Sequence, residues 1–181
     1  MNVLKFFKDH ELGIVNEAVA IAEELIYDAY KLSFGQWKQY RYDIKTLKDL
    51  GPKEIVSGPF AQIVRYLGCR SQTFLSSSMY DFYVICLQDH NILTAIENSK
   101  HIQLFPFVLY IVVHELIHIV RFTRFLQNFH ATPEEKLIEE TRVHGKTYDI
   151  LKSVKTPGMN DVLNFYKAWH TSIDSHLWTT A

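Results

Sequence analysis

Little in this chain would staple, anchor or tether it. Two cysteines in 181 residues, Cys69 and Cys86, give no disulfide framework, and they stand too far apart for a CxxC metal pair. The N-terminal stretch MNVLKFFKDHELG meets Lys8 and Asp9 after only a few apolar residues. It lacks the apolar core and small-residue cleavage site of a secretion signal, so a cytoplasmic protein is expected. No run of Lys or Arg accompanies the net charge of −1, which argues against nucleic acid or an anionic membrane as the main partner. No internal repeat and no linker-like segment divides the sequence, and its length suffices for one core. Residues 1–181 are therefore expected to form a single domain.

What is present begins with an ordinary globular composition, 48% apolar and 22% charged, which excludes disorder as the native condition. From about Glu11 to Leu32, apolar residues recur at helical spacing (Ile14, Val15, Ala18, Ile21, Ala22, Leu25, Ile26, Ala29) and predict an amphipathic helix. Gly35, Gly51-Pro52 and Gly58-Pro59 then punctuate short segments such as FAQIVRYLG, and Ser76 to Ser78 reads as a loop. Asp81 to Gln88 is rich in β-branched and aromatic residues and reads as a strand. Asp89-His90-Asn91 reads as a turn with His90 solvated, and Ile92 to Glu97 as a second strand pairing back. Thr132-Pro133-Glu134-Glu135 carries a capping box, with Pro133 suited to the first helical position, and opens a helix to about Ser153. A last helix is expected from Met159 to about Leu177. The sum is an α+β fold, mainly helical, with a small sheet or hairpin ahead of the central helix.

That central helix, from Phe105 to about Phe125, contains three titratable groups in apolar surroundings. Ile102 to Val120 is long enough to suggest a membrane span, but Gln103, Pro106, His114, Glu115 and His118 interrupt it and no companion segment exists, so a buried core helix is expected. His114-Glu115-Leu116-Ile117-His118 is an HExxH sequence. On a helix, residues four apart lie on one face one turn apart, so both imidazoles can reach a single ion. Glu115, beside the first of them, can lean toward a water on that ion. Zinc suits two nitrogen ligands, a third ligand from elsewhere and an open position for water. Two core histidines with a glutamate between them and no metal would need three buried hydrogen-bonding partners for no gain.

The segment VVHELIHIV, Val112 to Val120, resembles the active-site helix of the zincin metallopeptidases. The strict match covers about ten residues. The resemblance implies a zinc-dependent hydrolase acting on a peptide or protein substrate, with Glu115 as general base and His114 and His118 as metal ligands. In that fold a strand ahead of the helix commonly forms an edge along the cleft, a part expected here of Ile92–Ile96 or Tyr83–Leu87. The metzincin branch would need Gly and His where this chain has Arg121 and Arg124. The gluzincin branch takes a glutamate from a downstream helix, here EEKLIEETRVHGKTYDIL, Glu134 to Leu151. At about 100° per residue, Leu137, Thr141, His144, Tyr148 and Leu151 share one face, with Glu140 at its edge and Glu139 turned away. Glu140 is accordingly the expected third ligand, with His144 as the alternative. Otherwise His144 has a catalytic part, orienting a ligand or stabilising the transition state, at a position where gluzincins often carry Asp. Gly145 would suit a close approach of backbones. Tyr148, Tyr166, His170 and His176 are conceivable oxyanion donors, and Arg121 a rim ion pair.

Two other classes compete. Glu115 and His118 also read as the ExxH of a ferritin-like carboxylate metal protein, which would need a second ExxH that Glu140 and His144 do not provide. A non-catalytic module keeping the same helix for structure or partner binding is the other.

Overall fold

Small and apolar residues at helical spacing produce α1 (Asp9–Ala29), which buries Val15, Ala18, Ala22 and Ile26 along one stripe. The structure, a computed structural model, describes residues 4–69, 79–169 and 178–180. A short helix α2 (Phe34–Trp37), capped by Ser33, leads into β1 (Tyr42–Lys45). Two nine-residue strands follow, β2 (Ala61–Cys69) and β3 (Met79–Leu87), then the helices α3 (Asp89–Asn98), α4 (Leu104–Thr123), α5 (Pro133–Leu151) and α6 (Met159–Trp169). A last strand, β4 (Trp178–Thr180), completes a four-stranded sheet in the order β1-β3-β2-β4. The fold is mainly helical α+β.

β2 and β3 run antiparallel with Ala61 opposite Leu87, whereas β1 on β3 and β4 on β2 are parallel. Side chains alternate across the strand. Tyr83, Ile85 and Leu87 face the helices, and Val84 and Cys86 meet Val64 on the other face under Leu50 and Tyr66. Burial on both faces explains why this strand reads as a continuous apolar run.

The expected hairpin is not formed. Ile92 to Glu97 belongs to α3, and β3 takes its antiparallel partner from β2, some twenty residues upstream. Ile92, Leu93 and Ile96 have helical as well as strand spacing, and their β-branched content favoured the wrong choice. His90 is half-buried on this helix, not solvated, with Nε2 3.2 Å from the Val56 carbonyl oxygen. Neither candidate edge strand is an edge: one is helical, and Tyr83–Leu87 lies inside the sheet between β1 and β2. The loop at Ser76 to Ser78 and the stretch from 170 to 177 of the expected last helix fall outside the described residues.

Every residue from Pro106 to Val120 in α4 is buried, against α1, α5, α6 and the sheet. Among the described residues α4 is the one helix long and apolar enough to cross a membrane, and 83% of its apolar window is covered by the rest of the fold, which makes it the core helix. Each fully buried Leu, Ile, Val or Phe contributes about 1.5–3 kcal/mol. An unpaired buried polar group costs a comparable amount, so His114, Glu115 and His118 need partners.

α5 supplies them. Its capping box forms as expected, with the Thr132 N–H donating to Glu135 Oε2 at 2.8 Å and the Glu135 N–H to Thr132 Oγ1 at 3.2 Å. Its buried face differs from the expected one. Glu140, Val143, His144, Thr147 and Leu151 point inward, while Leu137 and Thr141 are exposed. Glu140 therefore lies at the centre of the face, and Glu139 is buried beside it by pairing with Arg121 and Arg142. Leu137 is apolar yet 47% exposed, so the buried face is turned from the one its spacing suggests. Gly145 is not a point of close backbone approach, since a Cβ there would meet nothing within 4 Å.

Candidate metal centre

Tyr110, His114 and His118 recur every four residues on α4, and Glu140, His144 and Tyr148 do the same on α5. Where the two rows meet, His114 Nε2 lies 3.1 Å from Glu140 Oε2, His118 Nε2 lies 3.0 Å from Glu140 Oε1, and the two imidazole nitrogens are 3.2 Å apart. Among the described residues this trio is the group whose donor atoms converge as a metal site requires, all within 4.8 Å, and its members are 0–4% exposed.

The spacing fits a small cation. Tetrahedral coordination with bonds near 2.0–2.1 Å places ligand atoms about 3.3 Å apart. Hydrogen bonding points the same way. His118 Nδ1 faces Gln127 Oε1 at 3.1 Å, and donating its proton there leaves a lone pair on Nε2 of the neutral ring. That lone pair confronts Glu140 Oε1 at 3.0 Å, so two acceptor atoms face one another. A cation between them satisfies both. Without one the pair must be an imidazolium and a carboxylate. Burial would lower the His118 pKa, but the charge and hydrogen bonding of Glu140 outweigh it and raise it. Burial likewise raises Glu140, and the His118 and His114 contacts outweigh that and hold its carboxyl well below the usual range.

Glu115 is buried, and its Oε2 has no hydrogen-bond partner. Burial raises its pKa, opposed by His114 and His118 and assisted by Glu140. It is not one of the converging donors. His144 sits one turn from Glu140, its Nε2 3.9 Å from Glu140 Oε2, while its Nδ1 is hydrogen-bonded with the Tyr110 hydroxyl at 2.8 Å. It thus lies beside the trio rather than in it. The Tyr110 and Tyr166 rings stack at 3.8 Å, continuing the row away from the donors. Arg121 pairs with Glu139 and also donates to the Leu126 carbonyl at 3.3 Å, tying the end of α4 to α5. His170 and His176 fall outside the described residues.

Gln127 was not anticipated from the sequence. It lies nine residues after His118 in the loop beyond α4, and neither helical periodicity nor motif spacing extends into a loop. No known protein family matches the chain, and no curated protein or solved structure matches it.

Proposed function

We propose that the chain is a zinc-dependent hydrolase of peptide bonds, with His114, His118 and Glu140 as the metal ligands and Glu115 as the general base. The observation that carries this reading is the convergence of the three buried donors with Glu115 adjacent in sequence to the first of them. Two imidazoles and one carboxylate match the ligand set of catalytic zinc sites, which keep a fourth position open. Zinc held there would polarise the scissile carbonyl and make water more acidic. Glu115, its carboxyl raised by burial, would take a proton from the attacking water and pass it to the leaving amine. The Tyr110–His144 pair stands beside Glu140, with His144 Nε2 3.9 Å from Glu140 Oε2, and would steady that ligand or stabilise the transition state.

The likeness of VVHELIHIV to zincin peptidases is part of the same proposal, as are a peptide or protein substrate and a cytoplasmic location. The burial of α4 supports a water-soluble protein, and cell fractionation tests the compartment. The ferritin-like reading is disfavoured because it needs Glu115 as a ligand, and Glu115 does not converge with the other donors. The 0–4% exposure of the trio favours one second reading, a structural metal site without turnover.

The test is metal analysis combined with hydrolysis of a quenched peptide pool. One zinc per chain in both the wild type and Glu115→Gln is expected, with hydrolysis lost in the variant. Unchanged turnover in Glu115→Gln overturns the catalytic assignment. Bound zinc with no hydrolysis in either protein establishes the structural site instead.

A further inference from the structure

Between α5 and α6, one helical turn from the metal donors, lies a cavity of about 380 Å³. Thr141, Gly145 and Lys167 form its exposed rim, and Tyr110, His144 and Tyr166 its buried inner end. Tyr148 and Leu163 supply the sides. The inner wall is shared with the metal centre, because His144 touches Glu140 on one side and faces the cavity on the other.

Its chemistry is aromatic. Tyr166 stacks on Tyr110 and lies 5.6 Å from the His144 ring, and the Lys167 ammonium stands 5.0 Å from the centre of the Tyr148 ring. Rings arranged at such distances attract a further ring by stacked or edge contacts, and an ammonium at the rim can add a cation–π contact. The volume is at the low end for ligand pockets, suited to one large side chain rather than a long segment. Gly145 keeps the rim open. Glycine is unfavourable inside a helix, yet here it occupies a rim position where an added Cβ would meet nothing within 4 Å.

We propose that this cavity is the recognition pocket for an aromatic side chain of the peptide on which the metal centre acts. The inference rests on the hydrolase reading for what happens beside the bound ring, though not for the binding itself. The test uses the full chain loaded with zinc and two probes, N-acetylphenylalaninamide and N-acetylalaninamide, titrated while backbone amide chemical shifts are followed. The phenylalanine amide is expected to bind about tenfold more tightly or better, with shifts centred on Gly145, Tyr148 and Leu163. In Gly145→Phe, the preference should fall below about twofold at unchanged zinc content, because the new ring fills the rim.

Equal affinities for the two probes in the wild type, or shifts centred elsewhere, overturn the proposal. So does a folded Gly145→Phe chain that keeps the preference. Should that variant not fold, the wild-type shift map decides alone. A phenylalanine preference mapped to this cavity in a chain that binds no zinc supports the pocket and overturns the metal reading.

Discussion

His118 Nδ1 lies 3.1 Å from Gln127 Oε1, so the loop after α4 holds the ring of a residue inside the helix. This contact fixes which imidazole nitrogen is left to face Glu140. Gln127→Ala is expected to weaken zinc binding about 10–100-fold, the usual cost of losing such an orienting partner. Gln127→Glu should restore it, since a carboxylate accepts the same proton. Competition with a chromophoric chelator measures both, and wild-type affinity in Gln127→Ala would show that the ring needs no support from the loop.

The parts of the structure written in local pattern were legible in the sequence. Helical spacing showed α1, the Thr132–Glu135 capping box showed the start of α5, and the apolar run with its embedded HExxH showed α4. Long-range pairing was not. Nothing near Asp81 to Gln88 says that its antiparallel partner is Ala61 to Cys69, and the nearby Ile92 to Glu97 offered a plausible but wrong alternative. Spacing alone puts Leu137 and Thr141 on the buried face of α5 with Glu140 at its edge, whereas both are exposed, Glu140 is central and Glu139 is buried by two arginines. Apolarity was a poor guide where ion pairs decide burial.

Those ion pairs predict a coupling. Glu139 is 8% exposed at its side chain and accepts from Arg121 on α4 and, at 2.6 Å, from Arg142 on its own helix. Removing one partner of a buried pair leaves a charge poorly compensated. Arg121→Met should cost about 2–4 kcal/mol in urea unfolding. The double variant Arg121→Met/Glu139→Leu should cost less than the sum of its single changes. Strict additivity would show that the pair does not bind α4 to α5.

Acid sensitivity should be traceable to Glu54. Burial raises its pKa, but hydrogen bonds from the Tyr66 hydroxyl and the Gly51 N–H, with the charge of Lys45, outweigh this and leave it lowered. A carboxyl with a lowered folded-state pKa adds stability above its unfolded value of about 4.3, and that stability is lost as pH falls through the folded value. Glu54→Gln is therefore expected to cost about 1–2 kcal/mol at pH 7 and progressively less in acid, where the wild-type carboxyl is also neutral. Denaturation at a series of pH values checks this, and a cost independent of pH would exclude the charge as its origin.

The end of α4 makes the last prediction. The Leu126 N–H donates to the Arg121 carbonyl at 2.9 Å and the Phe125 N–H to the Phe122 carbonyl at 3.0 Å. This is the Schellman pattern, which places a left-handed residue just past the helix, most often glycine. Here that residue is Phe125, with φ of 55° and a side chain that is 94% exposed. The left-handed backbone costs a non-glycine residue roughly 1–2 kcal/mol, and so exposed a ring recovers little of it by packing. Phe125→Gly removes the strain but gives back about 0.4–1 kcal/mol through the freer unfolded chain. The net gain should be about 0.5–1 kcal/mol, or a Tm higher by about 1–4 °C for a chain of this size. Phe125→Val should move Tm the other way, because a β-branched residue fits this conformation worst. A fall in Tm for Phe125→Gly would mean that the ring is packed in solution and that the helix end is not strained.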